Sequence, residues 1–291
     1  MKIENDLNMK ILVSFSGGKD SQACLIKAAQ EYGPSKIEAV FCDTGWEHPD
    51  TYKHIEDVCS EMGVKSRVLK PELGFVELAK KKKRFPSVFQ RFCTIELKIK
   101  PTIDYILSLK DSVIVIEGVR AQESPKRAVM SDECMYFRSY FEGINGRKES
   151  YRRKEVLEWC KDYDASVLRP IFRWTAQEVI DCILQAGQKP NPLYYRGYSR
   201  VGCMPCVMSR MSNINLLNDD PEMKQRLIDA EKYVGSSFFA VDIIPKRACK
   251  NGVYAMAEEV FKYVSAKNAT LDMFEPEGGY SCMSMYHGLC E

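Results

Sequence analysis

The sequence predicts an α/β protein: a doubly wound, mostly parallel sheet with helices on both faces, extended at its C-terminal end by a cysteine-containing helical region. Three observations carry this. Short apolar runs bounded by turn residues alternate with helical patterns, as in a parallel sheet covered on both sides. The first apolar run ends in a glycine turn that opens a helix. The apolar share, 45% of 291 residues, is enough for a large buried core.

The first strand is Ile11-Leu12-Val13, reached through a polar arm over residues 1–10. Ser14-Phe15-Ser16-Gly17-Gly18-Lys19-Asp20-Ser21 comes next, and a helical pattern runs from Gln22 to about Tyr32. Gly17 and Gly18 admit backbone angles that a side chain forbids and leave room for a ligand. Unpaired N–H groups at the turn and helix start, together with the helix dipole, make an anion site suited to phosphate. Ser16 and Ser21 add hydroxyl donors, and Lys19 adds a full charge. Asp20 suits an N-cap, a magnesium contact or both. A Walker loop is excluded, since it needs a glycine at Val13 and a Gly-Lys-Ser/Thr triplet.

This string resembles the loop of the adenine nucleotide alpha-hydrolase, or PP-loop, superfamily. The resemblance implies a grip on pyrophosphate by Ser14 and Ser16–Ser21, chemistry at the alpha phosphate of an adenine nucleotide, and catalytic roles for Lys19 and Asp20. ATP with Mg2+ is the implied ligand, and residues 11–202 become the nucleotide-binding domain.

Net charge is +2, which argues neither for nor against a polyanionic partner. No apolar stretch approaches membrane-spanning length. The arm lacks the apolar segment of a signal peptide, so the expectation is a soluble, cytoplasmic protein. Twelve cysteines are many. Length and the missing signal exclude a secreted disulfide scaffold, leaving buried thiols, a metal or iron–sulfur site, or a reactive thiol. Cys24, Cys42 and Cys182 sit in apolar patterns and read as packing residues.

Ile37–Cys42 is the second strand and runs into Asp43-Thr44-Gly45-Trp46-Glu47-His48-Pro49. Ligands of such sheets bind beyond the carboxyl ends of the strands, so Asp43 is expected beside the glycine loop, as a ligand contact or as the cap of the next helix, about Asp50 to Met62. Lys65–Leu69 is strand three. A helix from Phe75 closes on Lys80-Lys81-Lys82-Lys83-Arg84, which reads as a solvated helix end favoured by the dipole, with attraction of a polyanion as the alternative. After a loop over Phe85–Phe92, Cys93 stands at the mouth of a helix that ends near Leu109, where a thiolate is favoured. Val113–Glu117 delivers Gly118-Val119-Arg120, with Arg127 beyond. Arginines there can hold phosphate or sulfate bidentately; the alternative for Arg120 is a salt bridge to Glu123. Residues 129–153 read as a long loop. Ser166–Phe172 is another strand, and Thr175 with Glu178 forms a capping box for a helix to about Ala186.

Asn191-Pro192-Leu193-Tyr194-Tyr195-Arg196-Gly197-Tyr198-Ser199-Arg200-Val201-Gly202-Cys203-Met204-Pro205-Cys206 is the second strong signal. Together with Asp43-Thr44-Gly45 and Gly118–Arg127, it resembles the phosphoadenylyl-sulfate (PAPS) reductase family, so the likeness runs from Leu12 to Cys206. It implies substrate contacts for Asp43, Thr44, Gly118, Arg120, Arg127 and Arg200. By spacing alone, Cys203 and Cys206 suit one metal or cluster, a redox dithiol or a structural zinc half-site. By resemblance to the iron–sulfur members, Cys93, Cys203 and Cys206 are ligands of a [4Fe–4S] cluster, with zinc as the alternative. Phe92 stands where those enzymes have a fourth cysteine, so either Cys282 or Cys290 completes the set or one iron stays open. The Cys-rich C-terminal region, residues 203–291, continues with helices over Pro221–Tyr233 and Val253–Val264. It ends in His287-Gly288-Leu289-Cys290-Glu291, which lacks the reductases' Glu-Cys-Gly-Leu/Ile-His tail but keeps Cys290 and Cys282 as candidate nucleophiles.

The expected function is therefore an iron–sulfur ATP pyrophosphatase that adenylates a substrate for sulfur transfer. Its sulfur donor would be a protein such as a cysteine desulfurase and its acceptor a nucleic acid in the manner of tRNA-thiolation and DNA-phosphorothioation enzymes; the oligomeric state is open, with a homodimer as one candidate. The alternatives are a PAPS or adenylyl-sulfate (APS) reductase working with thioredoxin, and a non-catalytic nucleotide- and redox-sensing module.

Overall fold

In a computed structural model, which describes residues 9–135, 137, 151–250 and 252–266, the chain forms a six-stranded sheet of order β3-β2-β1-β4-β6-β5. The strands are β1 (Lys10–Ser14), β2 (Ile37–Cys42), β3 (Lys65–Leu69), β4 (Val113–Ile116), β5 (Glu133–Met135) and β6 (Ala165–Leu168). The first four and β6 are parallel, with Val13 opposite Ala39 on one side and Ile116 on the other. The edge strand β5 is antiparallel to β6. Both β2 and β4 are buried throughout, as the continuous apolar runs of a two-sided sheet require.

One face of the sheet is covered by α1 (Lys19–Tyr32), α2 (Pro49–Glu61) and the helix Ala176–Gln185. Their Cys24, Leu25, Ile55, Val58, Val179 and Ile183 pack on Val13, Phe41 and Ile116. On the other face, Ile103 and Ile106 of the helix Lys100–Ser108 and Val156 and Trp159 of the helix Arg153–Trp159 pack on Leu12, Val40, Val115 and Val167. The order reverses on either side of β1, so the carboxyl ends of β1 and β4 open a crevice there.

A third apolar cluster joins α3 (Phe75–Lys82) and Trp46 to the helices Met211–Asn218, Pro221–Val234 and Ala257–Ala266. Glu231 is its polar staple. This carboxylate is 1% exposed and accepts from the Phe238 and Ala257 amides at 2.6 Å each.

Several elements depart from the sequence expectation. The stretch expected as a loop over 129–153 contains β5, and its last residue opens a helix. Strand β6 stops at Leu168, four residues early. The Arg169 N–H still reaches the Asp132 carbonyl while its side chain meets Glu117, and Pro170 has no N–H for a further bond. Between Thr94 and Lys100 the chain winds a π-helix, Ile95–Ile99. The helix Met211–Asn218 had no sequence signal, and the last helix starts at Ala257, not Val253. The Thr175–Glu178 capping box is present. No described helix is long and apolar enough to cross a membrane.

Burial pushes the Glu231 carboxyl up to about 7 from an ordinary 4.5, against the pull of the two amides. A raised folded value means that the group's stabilising contribution is complete below its unfolded value and is lost as pH rises through about 7. The unfolding midpoint of the wild type relative to Glu231→Gln is therefore expected to fall between about pH 4.5 and about pH 7 in thermal melts. A difference that grows over that range contradicts this role for Glu231.

Candidate functional site

The crevice holds a cavity of ≈ 480 Å³. Its floor is the turn between β1 and α1. Gly17 has φ +75, and a Cβ there would lie 2.8 Å from Cγ2 of the buried Thr51. Both facts demand glycine. Gly18 is the N-cap of α1 and supplies no side-chain cap bond. Asp20 is thus a first-turn residue, not the cap. The Ser21 hydroxyl lies 2.9 Å from the Gly18 carbonyl, to which it donates, and accepts from the Ser16 amide at 3.3 Å. These bonds draw the turn tight around the helix start.

The loop after β4 closes on the same turn. A Cβ on Gly118 would sit 2.7 Å from the Asp20 carbonyl carbon and the Ser21 nitrogen. With backbone so near, Arg120 Nε reaches Asp20 Oδ1 at 2.5 Å, while Asp20 Oδ2 receives Lys19 Nζ at 3.2 Å. Arg120 therefore pairs with Asp20. Glu123 takes the Arg120 amide at 2.9 Å and the Arg127 guanidinium. Glu117 also lines the cavity, and its carboxylate is held by the buried Arg169 at 3.1 Å.

A third segment comes from Asn191. This residue is fully buried. Its amide donates to the Gly17 carbonyl at 3.1 Å, and its Oδ1 caps the short helix Pro192–Tyr195 by accepting from Leu193 N. That helix delivers Tyr194, whose hydroxyl accepts the Lys19 N–H at 3.1 Å. The Lys19 ammonium stands 5.6 Å from the Tyr194 ring centroid. Burial, reinforced by Asp20, holds the phenol well above its ordinary value, so it remains a neutral donor. Among the described residues its own O–H has no acceptor.

The cavity also takes in Ser14, Ser199, Arg200 and Gly202, and the thiols of Cys203 and Cys206. Ser14 Oγ is buried without a hydrogen-bond partner, which suits a polar ligand. Cys203 is tied to the end of β2. It bridges Glu47 in an antiparallel pair, and its thiol donates to Glu47 Oε1 at 3.5 Å. Glu47 is 2% exposed. Its carboxylate also accepts from Thr44 N and Oγ1, Trp46 N and Tyr52 Oη. Arg226 fixes this loop from the C-terminal helices: it donates to the Gly45 and Glu47 carbonyls at 2.6 and 2.8 Å and lies 4.3 Å over the Trp46 ring.

The expected residues thus separate into groups. Ser14, Ser16, Gly18, Lys19, Asp20, Ser21, Gly118, Arg120, Arg127, Arg200, Cys203 and Cys206 line one cavity, and Gly17 shapes its floor. Asp43 and Thr44 do not line it. Asp43 instead accepts from Gly45 N at 2.9 Å and Tyr52 Oη at 2.7 Å, and His48, not Asp43, caps α2. Cys93 lies in the turn Phe92–Thr94 and packs against the C-terminal apolar cluster, outside the cavity lining. Among the described residues no three His, Cys, Asp or Glu side chains are placed to hold a metal ion. Cys282 and Cys290 lie outside the described residues. Cys24 is buried as expected and donates to the Glu117 carbonyl. Glu47, Glu117 and Tyr194 were missed as site residues. Tyr194 lay inside the Asn191–Cys206 motif and Glu47 four residues beyond Asp43, where their positions in those strings were the available signal.

The chain matches the family model of the phosphoadenosine phosphosulfate reductase domain over residues 10–209. An uncharacterized 37.8 kDa protein of Escherichia phage 186 is 30% identical over 96% of both chains. The adenosine 5'-phosphosulfate reductase of Streptomyces coelicolor is 24% identical over 59% of this chain and 61% of its own. The solved U34-tRNA thiolase NcsA of Methanococcus maripaludis, with its [4Fe-4S] cluster, is 13% identical over 96% of this chain and 80% of its own, at a TM-score of 0.42.

Gly118→Ala tests the closure of the cavity floor. With backbone atoms 2.7 Å from the new methyl, it is expected to cost about 1–3 kcal/mol in denaturant unfolding; an unchanged midpoint contradicts the close approach. The segment matched and the cavity it encloses establish that the chain belongs to the phosphoadenosine phosphosulfate reductase domain family.

Proposed function

We propose that the chain is an ATP pyrophosphatase that adenylates an acceptor for sulfur transfer. The observation that carries this is the intact Ser16–Ser21 turn at the start of α1, opening into a cavity that also presents Lys19, Arg120 and Arg200 and the Cys203/Cys206 thiols. In this reading the beta and gamma phosphates lie against the turn, where backbone N–H groups and the α1 dipole stabilise them. Lys19 and Arg120 offset the charge that grows on pyrophosphate as it leaves. An acceptor oxygen attacks the alpha phosphorus. The new P–O bond forms as the bond to pyrophosphate breaks, and the acceptor is left as its adenylate. The persulfide of a donor such as a cysteine desulfurase then displaces AMP, which departs with the acceptor oxygen; a second thiol attacks the donor sulfur of the resulting acceptor–S–S–donor bond, so that the thiolated acceptor leaves as a disulfide forms between that thiol and the donor cysteine. Catalysis of this kind rests on positioning and on preorganised charge.

Both Asp20 oxygens already face cations, Lys19 and Arg120. We therefore assign magnesium to the nucleotide's own phosphates and route no step through a protein-bound ion. The described residues do not gather three cluster ligands, so no step passes through iron and sulfide either. Cys203 and Cys206 stand at the cavity as thiols.

Tyr194 has a defined part in this reading. Its hydroxyl takes the Lys19 N–H and has its own proton to give to a phosphate oxygen. The Asn191 amide on the Gly17 carbonyl ties the tyrosine's segment to the turn, so the phenol moves with the turn. Tyr194→Phe removes one hydrogen bond to an anion, about 1.5–3 kcal/mol. It is expected to weaken pyrophosphate binding about ten- to a hundredfold by calorimetry, leaving the ligand-free melting temperature near wild type. Equal or tighter binding would show that the hydroxyl only fills the site until phosphate arrives.

A second reading, a PAPS or APS reductase working with thioredoxin, is favoured by the likeness to the Streptomyces coelicolor enzyme. Incubating anaerobically purified protein with ATP and Mg2+, and separately with PAPS or APS plus thioredoxin, distinguishes the two. Pyrophosphate from the first mixture is expected. Sulfite from the second without pyrophosphate from the first sinks the pyrophosphatase reading, and neither product favours a nucleotide-sensing module or a missing acceptor.

A further inference from the structure

The strongest charge asymmetry of the chain lies away from the cavity floor. Residues 78–95 carry six basic side chains and no acidic one, while the remaining residues carry 36 basic against 40 acidic. Lys80–Arg84 are all exposed, at the end of α3 and in the turn after it. A helix end can be basic for the dipole alone, and four consecutive lysines by themselves indicate only a solvated face. The segment beyond the lysines adds a second feature. Phe85 and Pro86 are buried and anchor the chain. Ser87 and Gln90 then exchange both backbone hydrogen bonds at 3.2 Å, and the Ser87 hydroxyl takes the Gln90 amide as well. Phe89 sits at the tip of this closed two-residue turn, and it is 95% exposed. Below it, Lys82 and Arg84 stand 6.0 and 5.9 Å from the ring centroid of the half-buried Phe92.

An ordered turn that holds a phenylalanine almost wholly in water, in a stretch with six basic residues and no acidic one between Glu77 and Glu96, sacrifices apolar burial that the neighbouring Phe85 secures. We propose that this surface, Lys81–Arg84 with Phe89, grips single-stranded nucleic acid. The cations neutralise successive phosphates, and Phe89 stacks on an unpaired base. A duplex offers no free base face to an aromatic side chain, so single strands are the fitting partner. A second copy of the chain is disfavoured as occupant, because a symmetric contact would face like charges at close range. The next residues along, Phe92 and Cys93, pack on the same apolar cluster as Cys203, so the gripping surface is built onto the part of the protein that also seats the thiol pair. The inference rests on charge and exposure alone and holds whichever nucleotide fills the cavity.

The test is fluorescence anisotropy of the full chain with fluorescein-labelled 20-nucleotide probes: single-stranded RNA, single-stranded DNA and a DNA duplex. Single strands of at least one type are expected to bind more tightly than the duplex, with affinity falling as salt rises. Lys81→Glu/Lys83→Glu is expected to weaken binding at least tenfold and to reduce the salt slope by about 1.4. Phe89→Ala removes no charge. It is expected to weaken binding about five- to a hundredfold with an unchanged salt slope. All three substitutions are at exposed positions, and circular dichroism melts serve as the control on folding. The inference is overturned by wild-type protein that leaves both single-stranded probes unbound at low salt, by Phe89→Ala binding as wild type does, or by polyglutamate or anionic vesicles displacing the probe at equal charge concentration.

Discussion

The approach of Gly118 to the first turn of α1 is the contact that sets the rest of the site. A helix start is only a weak preference for anions while water can reach its amides. Here the exit of β4 lies directly against the backbone of Asp20 and Ser21, where a single methyl group would not fit. That contact brings Arg120 onto Asp20 and sets Glu123 to orient Arg127. The arginines are placed by backbone packing rather than by their own long side chains, so little rotamer freedom remains to be lost when an anion arrives.

Acidic residues hold much of this site in position. Asp20, Glu117 and Glu123 each hold an arginine, and Glu47 gathers donors from the loop beyond β2 together with the Cys203 thiol. An arginine cluster with no such partners would repel itself and splay. Paired in this way, it keeps its geometry empty and offers positive potential to a ligand more negative than the carboxylates it already has. Arg226 extends the same logic to the C-terminal helices. Its guanidinium on the Gly45 and Glu47 carbonyls and over Trp46 makes the seat of Cys203 a joint product of the sheet and the helical extension.

The fold was legible in the sequence wherever its features are local. The strand–turn–helix at Val13–Ser21, the apolar runs of β2 and β4 and the Thr175 capping box are each decided by neighbours in the chain, and each is present. Legibility ends where a long-range partner decides. Strand β5 exists because β6 offers an open edge. One miss was local: Asp43 lost the capping role to His48, which stands directly before Pro49 at the start of α2. Tyr194 meets Lys19 across 175 positions of sequence, a pairing that no periodicity announces. For the same reason the spacing of Cys203 and Cys206 foretold their shared cavity, whereas Cys93, expected beside them by resemblance, lies outside its lining.

Everything proposed for the chemistry requires the turn before α1 to seat a nucleotide's phosphates. A crystal structure with a non-hydrolysable ATP analogue decides whether it does. The terminal phosphates are expected on the backbone amides of Gly17 and Gly18, with the Tyr194 hydroxyl, still holding the Lys19 N–H, donating to one of their oxygens and the alpha phosphate facing Arg120. A nucleotide bound with its phosphates away from that turn, or one that displaces Tyr194 from the Lys19 amide, would contradict this arrangement.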